Sequence, residues 1–343
     1  MQMNTLEKGK PSKGIGKWLK WPIVAVVLIG VPVSLVLGDS NYFLFLLCIM
    51  GIYVVATSGL DILFGYTGQM SLGHAGFYAI GAYASVLLSH KSFGISQWLG
   101  FSIPPLLSIF IAAFIAALFG IVLALPAAKL VYHFLALLTI AFGQLVYLFI
   151  SSFPQVTNAH LGITGVEPIS IFGFAFDTNI KFYFFVLAVV ILLLVIKNNI
   201  IRSRTGRGFI AIRENQLAAN GCGVNVRRYK IVAFAISAFY TGLAGALYVH
   251  FIGFISPESF VYAQSVLFLT MLVFGGNGNL LGPILGAFTI TIVQEALQGA
   301  KNYQMLIYGA FLLVSIMFLP KGIYGLFRKL VALVGKSRRK TNA

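Results

Sequence analysis

Two glycine-rich stretches carry most of the side-chain chemistry in an otherwise apolar chain. The first, "GYTGQMSLGHAGFYAIGAY" (65–83), holds Gly65, Gly68, Gln69, Ser71, Gly73 and His74. The second, "FGGNGNLLGPILGAF" (274–288), holds Asn277, Gly278, Asn279 and Gly282. Each follows an apolar run and resumes as a helix with a Leu-Gly…Gly-Ala-aromatic pattern, Leu72-Gly73 with Gly81-Ala82-Tyr83 and Leu281-Gly282 with Gly286-Ala287-Phe288. Irregular backbone inside a bilayer survives only within protein or beside a water-filled cavity, and paired interruptions point to a transport path. Freed backbone groups at 65–76 and 275–282 are then expected to lie along that path. The competing reading is close helix packing, which small residues also serve; the amides, serine and histidine favour the path. His74 alone is expected to be a hydrogen-bonded packing residue.

Covalent chemistry has no foothold. The chain lacks GxxxxGK[ST], HExxH and GxSxG, so neither nucleotide phosphate binding, zinc proteolysis nor serine hydrolysis is indicated. Asp61, Lys129, His133, His250 and Glu295 lie near apolar runs, each within about two turns of a run's end, where long side chains reach the interface. That leaves no midplane carboxylate or histidine chain for proton or sodium coupling. Energy must come from a gradient or from a partner. Cys48 and Cys222 form neither a disulfide framework nor a metal-ligand spacing.

The elements that must position these groups are membrane helices. Hydrophobic residues make up 59% of the 343 and charged residues 9%, with mean hydropathy +0.93, too little charge to cover a soluble surface. The long uniform apolar runs exclude a β-barrel and predict an all-α, polytopic membrane protein. Ten crossings are expected near 21–38, 42–64, 76–89, 103–125, 130–152, 182–197, 231–251, 262–274, 281–297 and 304–319. Bases cluster at the N-terminus, in 197–230 and in 321–340, which accounts for a net charge of +16 without nucleic acid. With both termini in the cytoplasm, the 153–181 and 252–261 loops fall outside and the basic 197–230 loop inside. The organisation expected is a basic tail over 1–20 with no signal peptide removed, a membrane domain over 21–326, and a basic tail over 327–343.

The segment 202–230 is the one long polar insert, with seven bases and a single acid. A short helix is expected from Arg207 to about Asn220, with Phe209, Ile210, Ile212 and Leu217 as a modest apolar face and Gly221 and Gly223 as stops. It is too polar to span. A topology anchor, an interfacial lipid-bound helix and a docking helix for a soluble partner all fit these residues.

"GRGFIAIRENQLAANGCGVNVRRYKIVAFAISAFYTGLAGALY" (206–248) resembles the LivM-type permease subunits of ABC importers for branched-chain amino acids. The resemblance takes in Gly65 to Tyr83, "LLTIAFGQ" (137–144), "ISPESF" (255–260), "GGNGNLLGPILGA" (275–287) and "PKGIYGL" (320–326). It implies a non-catalytic inner-membrane subunit with no cofactor of its own. It also implies a second, LivH-type permease, two cytoplasmic ATPases that hold ATP-Mg, and an extracytoplasmic binding protein. Gly206, Arg207, Arg213, Glu214, Asn215, Ala218, Ala219 and Gly223 would then form the ATPase-coupling helix within a loop over 198–230. Ala218 and Ala219 would allow close approach, and the charged side chains would orient the contact. One departure stands out: the outer loop reads "TNAHLGITG" (157–165), with Asn158 and Ala159 where many family members have two glycines. Urea and short-amide importers share much of the pattern, and a gradient-driven carrier acting alone is the rival from another class.

Overall fold

The computed structural model describes residues 41–90, 102–130, 132–171 and 174–297, with scattered positions between 303 and 325. The expected tails over 1–20 and 327–343 and the expected span 21–38 lie outside the described residues, as does most of 304–319. The chain divides into Met1–Phe45 and Leu46–Ala343. Only the opening turn of the first helix represents the former, and the packing below is that of the latter.

The helices are α1 (Asn41–Leu60), α2 (His74–Ser89), α3 (Pro105–Ala127), α4 (Tyr132–Ser152), α5 (Asn179–Arg202), α6 (Arg204–Glu214), α7 (Gln216–Gly221), α8 (Val226–Ile252), α9 (Tyr262–Gly275) and α10 (Gly282–Ala296). α1 continues without a break into a π-helical turn, Asp61–Tyr66. Among the described residues, five segments are long and apolar enough to cross a membrane: Asn41–Tyr66, α3, Phe134–Ser152 of α4, α5 and α8. The three helices beside the glycine-rich stretches are shorter, with 16 residues in α2, 14 in α9 and 15 in α10. At the α-helical rise they reach only about 21 to 24 Å, short of the ~30 Å hydrocarbon core. All-α architecture is as expected, and the windows at 76–89, 262–274 and 281–297 each form a helix, shorter than the five above.

α8 runs through the centre, packed most extensively against α3 and α2. Small residues set that proximity. A Cβ on Gly81 of α2 would collide with the Gly242 carbonyl of α8, and a Cβ on Gly242 would collide with Ala116 of α3. Helices in lipid gain little from hiding apolar surface from each other, so close backbone approach supplies the attraction instead. Large apolar side chains point the other way: Phe114, Leu118, Leu137, Leu145, Leu148 and Leu192 are all more than half exposed. These outward faces on α3, α4 and α5 suit lipid or another membrane subunit.

One rim of the bundle is tied across its loops. Strand Ile163–Thr164 pairs antiparallel with Phe254–Ile255, in the register Ile163 with Ile255. The two loops joined are the two expected on the outer side. His250, near the end of α8, bonds through Nδ1 to the Glu167 carbonyl (2.7 Å) and through Nε2 to Ser85 of α2 (2.8 Å).

Candidate functional site

At the opposite rim, both glycine-rich stretches meet the polar insert. α1 ends in its π turn because Asp61 begins a widened coil, a device that recurs at functional sites. The Asp61 carboxylate is fully buried. Its Oδ2 accepts from Lys197 Nζ at 2.8 Å and its Oδ1 from the Gly278 backbone N–H at 2.6 Å. Arg213 of α6 reaches back and donates through Nη1 to the Gly65 carbonyl. Lys197 Nζ also sits 6.0 Å from the Tyr66 ring centre. Four segments distant in sequence thus converge on one carboxylate and one guanidinium.

Glycine is required where they touch. A Cβ on Gly65 would collide with the Asp61 carboxylate and the Gly278 nitrogen. Gly278 has φ +71°, a left-handed conformation, and a side chain there would press on Arg213.

Two expectations are corrected here. Lys197 was counted as a loop base holding the insert in the cytoplasm. α5 instead continues five residues past it to Arg202, and Lys197 is 0% exposed against Asp61. Asp61 was expected to reach the interface, yet it too is 0% exposed, because its partner ion comes to it. Seven bases remain in 202–230 without it. The signal available in the sequence was one acid and one base, each inside an apolar run at the same predicted membrane face.

Several backbone groups at the breaks are bonded within the bundle. Leu72 N–H donates to Thr139 Oγ1 at 3.1 Å and Ala75 N–H to Ser265 Oγ at 2.8 Å, so hydroxyls from α4 and α9 serve the start of α2. Gly282 N–H donates to Asn279 Oδ1 at 2.6 Å, which caps α10. Asn279 Nδ2 donates to the Gly276 carbonyl at 2.9 Å, and Asn277 offers its own carbonyl to the same amide at 3.4 Å. In this conformation these bonds hold the breaks together. Gly73 packs under the Thr139 carbonyl, and Gly68 (φ +70°) lies against Arg213. Gln69 donates to Thr67 Oγ1 at 3.0 Å. His74 is fully buried, with Nδ1 3.0 Å from Ser71 Oγ and Nε2 2.7 Å from Ser237 Oγ of α8, a bridging role as expected. The ring orientation puts one nitrogen on each hydroxyl.

The polar insert is two helices rather than one. Ser203 caps α6 by accepting from Thr205 N–H at 3.1 Å. Asn215 (φ −160°) then breaks the helix and caps α7 with its Oδ1, accepting from Leu217 and Ala218 N–H at 3.0 Å. Asparagine is a strong N-cap, so this break was legible. Gly206 fits beneath the Ile201 carbonyl, and Gly223 (φ +82°) ends α7. Phe209 and Ile212 are fully buried, with the Phe209 ring edge-on to Tyr229 at the foot of α8 (6.1 Å, 87°). Ile210 and Leu217, expected on the same apolar face, point outward instead, at 41% and 86% exposure. Ala219 is buried and cannot face a partner, whereas Ala218, Glu214 and Arg207 are exposed. Beside Leu217 a cleft of about 570 Å³ opens, lined by Lys129, Gln216, Asn220, Asn225 and Arg227. Lys129 is exposed there, Glu295 is half-buried on α10, and the side chain of His133 lies outside the described residues.

Residues 42–316 match the family described as branched-chain amino acid transport system, permease component. The chain belongs to this family. Among its relatives is the high-affinity branched-chain amino acid transport system permease protein LivM of Escherichia coli K12, 31% identical over 81% of this chain and 68% of that protein. The LivM protein of Salmonella typhimurium is 30% identical with the same coverage. The LivH permease protein of Escherichia coli K12 is 32% identical over 36% of this chain and 40% of that protein. No solved structure matches. The match spans both glycine-rich stretches and the whole polar insert, so the convergence on Asp61 lies inside the permease region of a multi-pass membrane protein.

Proposed function

We propose that this permease is the non-catalytic, membrane-spanning subunit of an ATP-driven importer that carries leucine, isoleucine and valine into the cytoplasm. Its partners are a second, LivH-type permease, two cytoplasmic ATPases that bind ATP-Mg, and an extracytoplasmic binding protein. The substrate follows the names of its LivM relatives. The observation that carries the mechanism is the Arg213 bond to Gly65 beside Gly278.

A soluble partner seated on α6–α7 would touch Arg207, Ile210, Glu214, Leu217 and Ala218, with the adjoining cleft to receive its own side chains. α6 cannot tilt alone. Phe209 is wedged on Tyr229 at the base of α8, Ser203 joins it to α5, and Arg213 grips the end of α1. Closure of a bound ATPase is thereby delivered to α1, α5 and α8 together, and through Gly278 to the turn before α10. The outer-loop departure leaves the amino-acid reading in place. Asn158 (φ +58°) and Ala159 (φ +44°) both hold left-handed backbone, the path two glycines would take.

The test is uptake of radiolabelled leucine by proteoliposomes holding the full assembly. Glu214→Ala and Ala218→Trp are expected to lower ATP-driven uptake by roughly tenfold or more, the effect of losing an interface anchor, with insertion and membrane yield intact. Wild-type uptake in both variants would remove the docking role from α6–α7. Leucine transport by the purified permease without any ATPase would replace the importer with a gradient-driven carrier. Uptake of urea but not leucine would move the assembly to the amide importers.

A further inference from the structure

On the outer side, a vestibule of about 230 Å³ descends between α1, α2, α8, α9 and α10. Tyr53, Tyr78 and Tyr248 line it, with Glu258, Gln264 and Gln294. Tyr248 lies one turn from the end of α8, and Glu258 belongs to the loop whose strand pairs with the other outer loop, which fixes the mouth on that side. The floor is aromatic: Tyr78 packs against Phe268 (5.3 Å) and Tyr248 (5.6 Å), and Tyr53 against Phe268 (5.8 Å). Tyr248 bonds to Ser259. Tyr78 is 1% exposed, and its hydroxyl has no hydrogen-bond partner among the described residues. Native interiors rarely leave such a group unpaired, so an orphan hydroxyl on the wall of a cavity marks where a ligand's polar atom belongs.

We propose that this vestibule is a substrate station that holds the zwitterion of an aliphatic α-amino acid on its way inward. Glu258, the one acid on the wall, faces the ammonium. The Tyr78 hydroxyl and the Gln264 and Gln294 amides donate to the carboxylate, and the tyrosine rings flank the hydrocarbon side chain. Few convergent polar groups on an apolar wall is the usual form of a small-molecule site. The inference rests on the amino-acid reading above and places substrate beside Tyr78, on the helix into which the first glycine-rich stretch resumes.

Tyr78→Phe removes only the hydroxyl, and Ala263→Trp fills the cavity. In proteoliposomes of the full assembly, with leucine loaded on the binding protein, Tyr78→Phe is expected to cut leucine uptake by roughly tenfold, the usual penalty for a lost substrate hydrogen bond. Ala263→Trp is expected to abolish it. ATP hydrolysis stimulated by the loaded binding protein should stay at the wild-type rate in both. Unchanged uptake in Tyr78→Phe overturns the station while leaving leucine transport standing. Parallel loss of uptake and stimulated hydrolysis also overturns it, because the wall would then be receiving the binding protein. A wild-type assembly that carries no leucine sinks both readings together.

Discussion

Asp61 has both carboxylate oxygens engaged by protein donors, whereas Tyr78, equally buried, has no partner for its hydroxyl among the described residues. The first lies at the rim of the bundle that carries the basic insert, the second in the vestibule below the opposite rim. Both are polar groups taken out of water, so each must be paired or costly. The contrast separates a part of the molecule built to stay joined from one built to receive something. At the Asp61 end the donors come from α5 and the turn before α10, while Arg213 clasps the neighbouring Gly65, so any rearrangement there must break charge-assisted bonds at once. At the Tyr78 end the rim is joined by neutral hydrogen bonds instead, and a visitor supplies the partner that the hydroxyl lacks.

The sharpest way to break that comparison is to strand one charge. Lys197→Met leaves Asp61 buried without its counter-ion and is expected to destabilise the permease by about 3 to 5 kcal/mol, read as lowered thermal stability of the assembly in detergent. Asp61→Asn combined with Lys197→Met should recover most of that loss, since the amide oxygen still accepts from Gly278. If the double variant is no more stable than the single, the ion pair is not what joins α1 to α5. A smaller effect is expected within the neutral polar network. Ser237→Ala leaves His74 Nε2 without its 2.7 Å partner and should cost about 1 to 3 kcal/mol by the same measurement. The smallest effect has the opposite sign. Ala159→Gly relieves a left-handed backbone (φ +44°) in the outer loop and should raise stability by roughly 1 kcal/mol. A fall instead would mean that the Ala159 methyl makes contacts worth more than the strain.

Much of the layout could be read directly, and the reason is visible element by element. The window at 262–274 became Tyr262–Gly275, and that at 130–152 became Tyr132–Ser152, because long apolar runs mark membrane helices whether they face lipid or the bundle interior. Glycine-rich interruptions were legible for the same reason. Partner choice was not. Asp61 and Lys197 are 136 residues apart, and nothing local to Lys197 distinguishes a base that ends a span from one buried within it. Arg213 was expected to face an ATPase, and its turn inward toward Gly65 depends on α1 ending in a π turn that no propensity foretells. The vestibule was missed because its seven polar lining residues come from five helices and a loop, spread from Tyr53 to Gln294.

The three abbreviated helices carry one more implication. Under the proposed function, helices this much shorter than the ~30 Å hydrocarbon core would let water come nearer the route of the substrate than α3 or α8 would, and the membrane voltage would fall over a shorter distance there. A dipolar cargo threading that locality meets a compressed electric field and a shorter stretch of oil, so its dehydration is confined to a brief part of the journey.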